Sequence, residues 1–164
     1  MIFKRFRVNE IVGILLASTL ILTNFATPSS QASLFGQSSD TKKNVASIVR
    51  LASTETRILN EWGALTGANY KDDYTTGVGL IKLLPKVNSF IAQLDQLSPK
   101  DLKFQAAIDI WIDGWNKQAE GLALSIDAID SQDYSKMAKA NTTLAAGRKT
   151  IKKAQQALRP FLNP

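Results

Sequence analysis

The chain has 164 residues, of which 20 are Lys or Arg and 14 are Asp or Glu, and it contains neither histidine nor cysteine. The missing residue types exclude disulfides, histidine-ligated zinc or haem, carboxylate–histidine di-iron sites and nucleophiles that rely on an imidazole base. The net charge is +6, a basic bias that favours an anionic surface such as lipid headgroups or an acidic partner.

The first 32 residues have the three-part pattern of a secretory signal. Lys4, Arg5 and Arg7 form a basic head, residues 11–26 form an apolar run, and small residues up to Ala32 form a cleavage site. We predict cleavage after Ala32 and export to the periplasm, the extracellular space or a thylakoid lumen. The alternative is a retained membrane anchor, but an apolar core of about 16 residues is short of the roughly 20 that a spanning helix needs.

The 132 residues that remain are enough for one domain with one hydrophobic core. Removing three basic residues and Glu10 with the signal leaves 17 basic and 13 acidic side chains, a net charge of +4. We predict a flexible leader over 33–39 and a single folded domain over 40–164.

The first two predicted helices have apolar residues at helical spacing. The first runs from Asp40, its expected N-cap, to Thr66, with Gly67 as the stop. The second starts after Asp72 and Asp73 and continues to Leu97. Its pattern runs through Pro85, which predicts a kinked helix and not a helix that begins at the proline.

The third predicted helix has Ser98 as its cap and Pro99 at its first position. One face is apolar and includes Trp111 and Trp115, and the opposite face is acidic. The acidic residues are Asp109, Asp113, Glu120 and Asp127. We interpret them as a solvent-exposed face; a cation site or acid–base site is the alternative.

The fourth predicted helix opens between Asp130 and Asp133 and closes at Pro160. Ala140, Gly147 and Ala154 are seven residues apart, so small side chains line one face and allow a neighbouring helix to approach closely. Four helices joined by short polar turns predict an all-α fold, an up-down-up-down four-helix bundle.

No motif places the chain in a family. In architecture alone, an exported cysteine-free four-helix bundle of this size is similar to small extrinsic accessory subunits, such as the Q-type subunit of photosystem II, and to bacterial extracytoplasmic sensor bundles. That resemblance implies an accessory or a sensing role.

Glu55 is the least expected residue of the first helix, because its position falls in the middle of the apolar face. A buried carboxylate must be paired or protonated. We predict an ion pair with Arg148 at the same height of the fourth helix, joined by Gln118. With Trp62 and Trp115 this polar core layer either fixes the register of the helices or anchors a small apolar ligand.

A second candidate site is a basic patch near the end of the fourth helix. Its residues are Arg148, Lys149, Lys152, Lys153 and Arg159. The patch suits an acidic protein face or an anionic lipid surface, although cations at a helix C-terminus are also stabilised by the helix dipole alone.

Together these features predict an exported, non-enzymatic accessory or protein-interaction module that acts at a membrane-associated partner. The alternative is an extracytoplasmic binding or sensor module that holds a small apolar ligand near Glu55, Trp62 and Trp115. We expect no cofactor, no metal and no nucleic acid partner, since the aromatic residues point inward and the charge after cleavage is modest.

Overall fold

The computed structural model describes residues 38–162, and this part of the chain is all-helical, with four α-helices and no strand. The helices are α1 (Ser39–Gly63), α2 (Asp73–Asp95), α3 (Leu102–Ser131) and α4 (Tyr134–Leu162). The predicted all-α class is therefore confirmed. The predicted signal, and the predicted leader as far as residue 37, lie outside the described residues.

Each helix packs against the next one in sequence, and α1 also borders α4. The largest side chains of the core are fully buried on α2 and α3. They are Phe90, Phe104, Trp111 and Trp115. The acidic residues predicted to face solvent, Asp109, Asp113, Glu120 and Asp127, are exposed. The inward and outward faces of α3 are thus as its periodicity predicts.

The ends of α1 differ from the prediction. Ser38 is the N-cap, and its side chain accepts a hydrogen bond from the backbone N–H of Thr41. Asp40 lies inside the first turn, where its carboxylate accepts the backbone N–H of Lys100 at 2.9 Å. The helix ends at Gly63, four residues before the predicted stop, and Gly67 instead takes φ 65° in a short 3₁₀ turn (Gly67–Asn69).

Helix α2 runs through Pro85 and does not start there, as the sequence pattern predicts. Its N-cap is Asp72, whose carboxylate accepts the N–H and the hydroxyl of Thr75. These bonds to the ionised form hold the pKa of Asp72 below its usual value.

The predicted start of α3 is wrong. Asp101 is the cap, and its Oδ1 accepts the backbone N–H groups of Lys103 and Phe104. Ser98 and Pro99 precede the helix in a non-helical segment, in which Pro99 is buried and the N–H of Lys100 is bound by α1. A contact with a distant helix therefore holds these residues out of α3.

Helices α3 and α4 are the most closely packed pair. Small buried residues recur every seven positions on both helices: Ala107, Gly114, Gly121 and Ala128 on α3, and Ala140, Gly147 and Ala154 on α4. A Cβ atom added to Gly147 would lie 2.9 Å from the carbonyl oxygen of Gly114. The strip predicted on α4 thus meets a matching strip on α3, which the sequence analysis had not identified.

Candidate functional site

Glu55 lies on the buried face of α1, and only 1% of the residue is exposed. Its Oε1 atom accepts two indole N–H groups from α3, from Trp115 at 2.9 Å and from Trp111 at 3.3 Å. The two tryptophans are one helical turn apart, so both rings reach the same carboxylate. Glu55 is therefore the polar centre of the contact between α1 and α3.

An aromatic ring from α2 packs beside this pair. Phe90 meets Trp111 edge to face at a centroid distance of 5.8 Å, and it meets Trp115 in the same way at 5.0 Å. Trp62, which was predicted to share the layer, is buried on α1 two turns after Glu55. The polar layer is thus enclosed by apolar rings from α2 and α3.

The predicted ion pair between Glu55 and Arg148 is not formed. Oε2 of Glu55 has no hydrogen-bond partner, and the ion pairs within residues 38–162 involve other side chains. Arg148 is half-buried at the border of the core, and it forms no ion pair with Glu55. Gln118 does not join Glu55 either, because its Nε2 donates to the carbonyl of Leu144 at 2.8 Å.

Burial raises the pKa of Glu55 to about 7, against an ordinary value of 4.5. Removal from water disfavours the charged carboxylate, and the two indole N–H bonds oppose that effect only in part. The chemical property of this layer is therefore the uptake or release of one proton near neutral pH.

The basic patch lies on a helix with no carboxylate of its own. Helix α4 has seven Lys and Arg residues and no Asp or Glu. Lys149, Lys152, Lys153 and Arg159 are exposed, as a docking patch requires, whereas Arg148 lies at the border of the core. Burial lowers the pKa of Arg148.

Two features of these sites were not predicted from the sequence. Trp111 was considered only as a core residue or as part of the lining of an apolar pocket, and not as a partner of Glu55, although its spacing of four residues from Trp115 was a usable signal. The exposed cations of α1 were also overlooked: Lys42, Lys43, Arg50 and Arg57. Their signal was the spacing of seven residues between Lys43, Arg50 and Arg57.

Within the described part of the chain, no group of three or more acidic residues is placed to hold a metal ion. The acidic face of α3 is instead engaged with neighbouring side chains, since Asp113 pairs with Lys117 and Asp127 pairs with Lys136 of α4. None of the described helices combines the length and the apolar character that crossing a membrane requires.

Comparison with known proteins gives no relative. No protein-family model matches the chain, no curated protein matches it, and no solved structure matches it.

Proposed function

We propose that this chain is an exported, non-enzymatic accessory protein, an up-down-up-down helical bundle that docks on an anionic, membrane-associated partner through the basic patch of α4. The signal-like N-terminus supports export. A chain without histidine or cysteine has few of the side chains on which acid–base and nucleophilic catalysis depend, which favours binding over chemistry.

The observation that carries the proposal is the unbalanced charge of α4. Seven cations stand on a helix without a carboxylate, and among the described residues only Lys136 of the seven is in an ion pair. The helix dipole stabilises cations in the last turn, which accounts for Arg159 but not for Lys139 or Lys149, more than two turns from the end. The other six cations of α4 are therefore available to an anionic surface of a partner.

The proposal is tested with the protein expressed in a host that exports it, by separating membranes from the soluble extracytoplasmic fraction. We expect the wild-type chain to sediment with the membranes at low salt and to be released at high salt. The double variant K149E/K152E should stay in the soluble fraction. Equal membrane association of wild type and variant would contradict docking through α4.

A second candidate function is binding or sensing of a small apolar ligand beside Glu55. The observation in its favour is the Oε2 atom, because a buried polar atom without a hydrogen-bond partner is rare in folded proteins. Native mass spectrometry of the protein purified without denaturation would test it. A bound small molecule that is lost in E55Q but kept in E61Q, an exposed control, is the expected signature.

A further inference from the structure

Helix α1, which borders α4, carries exposed cations of its own. The two helices border each other, and each exposes its basic side chains to solvent. Lys43, Arg50 and Arg57 share one face of α1 because they are seven residues apart. We call the nine exposed cations of the two helices the basic surface: Lys42, Lys43, Arg50, Arg57, Lys139, Lys149, Lys152, Lys153 and Arg159.

No carboxylate of these two helices is placed to neutralise that surface. Helix α4 has none, and α1 has Asp40, Glu55 and Glu61. Glu55 is buried, Glu61 pairs with Lys86 of α2, and Asp40 binds a backbone N–H. Within residues 38–162 the ion pairs involve none of the nine cations. Helix α3 has the opposite character, with five carboxylates and two lysines.

We propose that the basic surface adsorbs on an anionic lipid bilayer, an inference that rests on the proposed docking function and names its partner. The cations are spread along two rods, and on α4 alone they extend over about 30 Å. Lipid headgroups diffuse laterally, so they can gather beneath scattered cations without any matched spacing. Each Lys or Arg near such a leaflet adds to the attraction.

An acidic protein is the less suitable partner, because protein interfaces need buried apolar or aromatic anchors as well as charge. Among residues 38–162, the large apolar side chains that remain exposed are Val49, Tyr74, Ile81, Leu102 and Tyr134. Only Val49 and Tyr134 belong to α1 and α4, one in the middle of α1 and the other at the first position of α4. The basic surface therefore has charge without an apolar centre.

The test is co-sedimentation with lipid vesicles, using the protein purified after export, with one N-terminus confirmed by mass spectrometry for every variant. Vesicles of phosphatidylcholine with roughly one third phosphatidylglycerol are compared with pure phosphatidylcholine. We expect binding to the anionic vesicles alone, and its loss at high salt.

Three double variants with the same change in net charge separate the surface from the total charge. K149E/K152E on α4 and R50E/R57E on α1 should each weaken partition at least about tenfold. The control K71E/K103E changes exposed lysines outside the two helices, and it should weaken partition less than about twofold. Circular dichroism confirms that each variant is folded.

The remaining outcomes overturn the inference in distinguishable ways. Equal binding to uncharged vesicles would show that the association is apolar. If R50E/R57E binds as strongly as wild type, α1 is not part of the basic surface. Equal losses in all three variants would show a response to net charge alone. A further outcome is that the wild-type protein does not bind vesicles, but an acidic membrane protein retains it and does not retain K149E/K152E. In that case the lipid inference fails and the proposed function stands. If it binds neither, both fail.

Discussion

The buried carboxyl group of Glu55 makes the stability of the fold depend on pH. In the folded protein its pKa is about 7, whereas in the unfolded chain it has the ordinary value near 4.5. Between these two values the folded state holds a proton that the unfolded state releases. The unfolding free energy therefore falls as pH rises through this window, and it levels off above about pH 7. The difference corresponds to about 3 kcal/mol.

Replacing Glu55 by Gln should remove this pH dependence. The amide oxygen of Gln can still accept the indole N–H groups of Trp111 and Trp115, but the side chain does not ionise. We expect E55Q to be more stable than wild type by about 1–3 kcal/mol at pH 8 and to differ little near pH 4.5. Urea unfolding followed by tryptophan fluorescence at both pH values measures this.

The matched control is E61Q, since Glu61 lies on the same helix at the surface, paired with Lys86. E61Q should keep the pH dependence of wild type. Two carboxylates act as helix caps: Asp72, and Asp133, whose Oδ1 accepts the backbone N–H groups of Ser135 and Lys136. They should titrate alike in all three proteins and cancel in the comparison. Parallel stability curves for wild type and E55Q would show that Glu55 does not titrate in this range.

The partner of Glu55 was mispredicted for a physical reason. A helical projection gives the direction of a side chain, and it correctly placed Glu55 in the core. The projection does not give the distance between side chains on different helices. It therefore could not decide whether Arg148 or the two indole N–H groups would bind Glu55. The tryptophans are fully buried, so their indole N–H groups need an acceptor within the core. A guanidinium, in contrast, keeps more of its hydration at the surface.

At the scale of helices, hydrophobic periodicity was sufficient to predict four helices and the buried face of α3. The ends were less predictable. Ser98 and Pro99 form a good local start signal, but Asp40 of α1 binds the N–H of Lys100 and Pro99 is buried. A contact between residues 60 positions apart leaves no local signal in the sequence, and so the true cap, Asp101, was missed.

The two candidate caps of α3 can be separated by alanine substitution. D101A removes the acceptor of two backbone N–H groups and should destabilise the protein by about 1 kcal/mol. S98A should change stability by less than about 0.5 kcal/mol, because Ser98 is exposed and lies outside the helix. Thermal unfolding of both variants gives the comparison, and a larger loss in S98A would restore the cap first expected.

The close packing of α3 and α4 depends on the absence of side chains. A Cβ atom at Gly147 would lie 2.9 Å from the backbone carbonyl oxygen of Gly114 as well as 2.3 Å from Nε2 of Gln118, so G147A should force the helices apart and cost about 1–3 kcal/mol. The control is G63A, because nothing lies within 4 Å of a Cβ atom there. Alanine at this helical position should be neutral or stabilising by up to about 1 kcal/mol. Equal effects in chemical denaturation would mean that the helices do not touch at Gly147.

At the scale of the whole molecule, the helices differ in how closely they pack against one another. The backbones of α3 and α4 approach each other directly, whereas α1 reaches α3 through the long side chains of Glu55, Trp111 and Trp115. Local opening is easiest where backbone contacts are fewest and a buried charge must be tolerated. Helix α1 is therefore the element that should open first as pH rises.

Native-state hydrogen exchange measures this inequality. At pH 8, backbone amides of α1 should exchange faster than those in the middle of α3 and α4. In E55Q at the same pH, exchange should slow selectively in α1, because no charge remains in its interface. Uniform exchange in all four helices, or an effect of E55Q spread over the whole chain, would contradict this view.

The seam of small residues joins helices that are neighbours in sequence, with only two residues between Ser131 and Tyr134. Closing so short a connection loses little chain entropy, so we expect the hairpin of α3 and α4 to be the nucleus of folding. If the chain is exported with its N-terminus leading, α1 emerges first. The nucleus cannot form until α3 and α4, the last two helices, have also emerged. If the chain is exported as proposed, its folding afterwards should therefore be governed by the arrival of the C-terminal half.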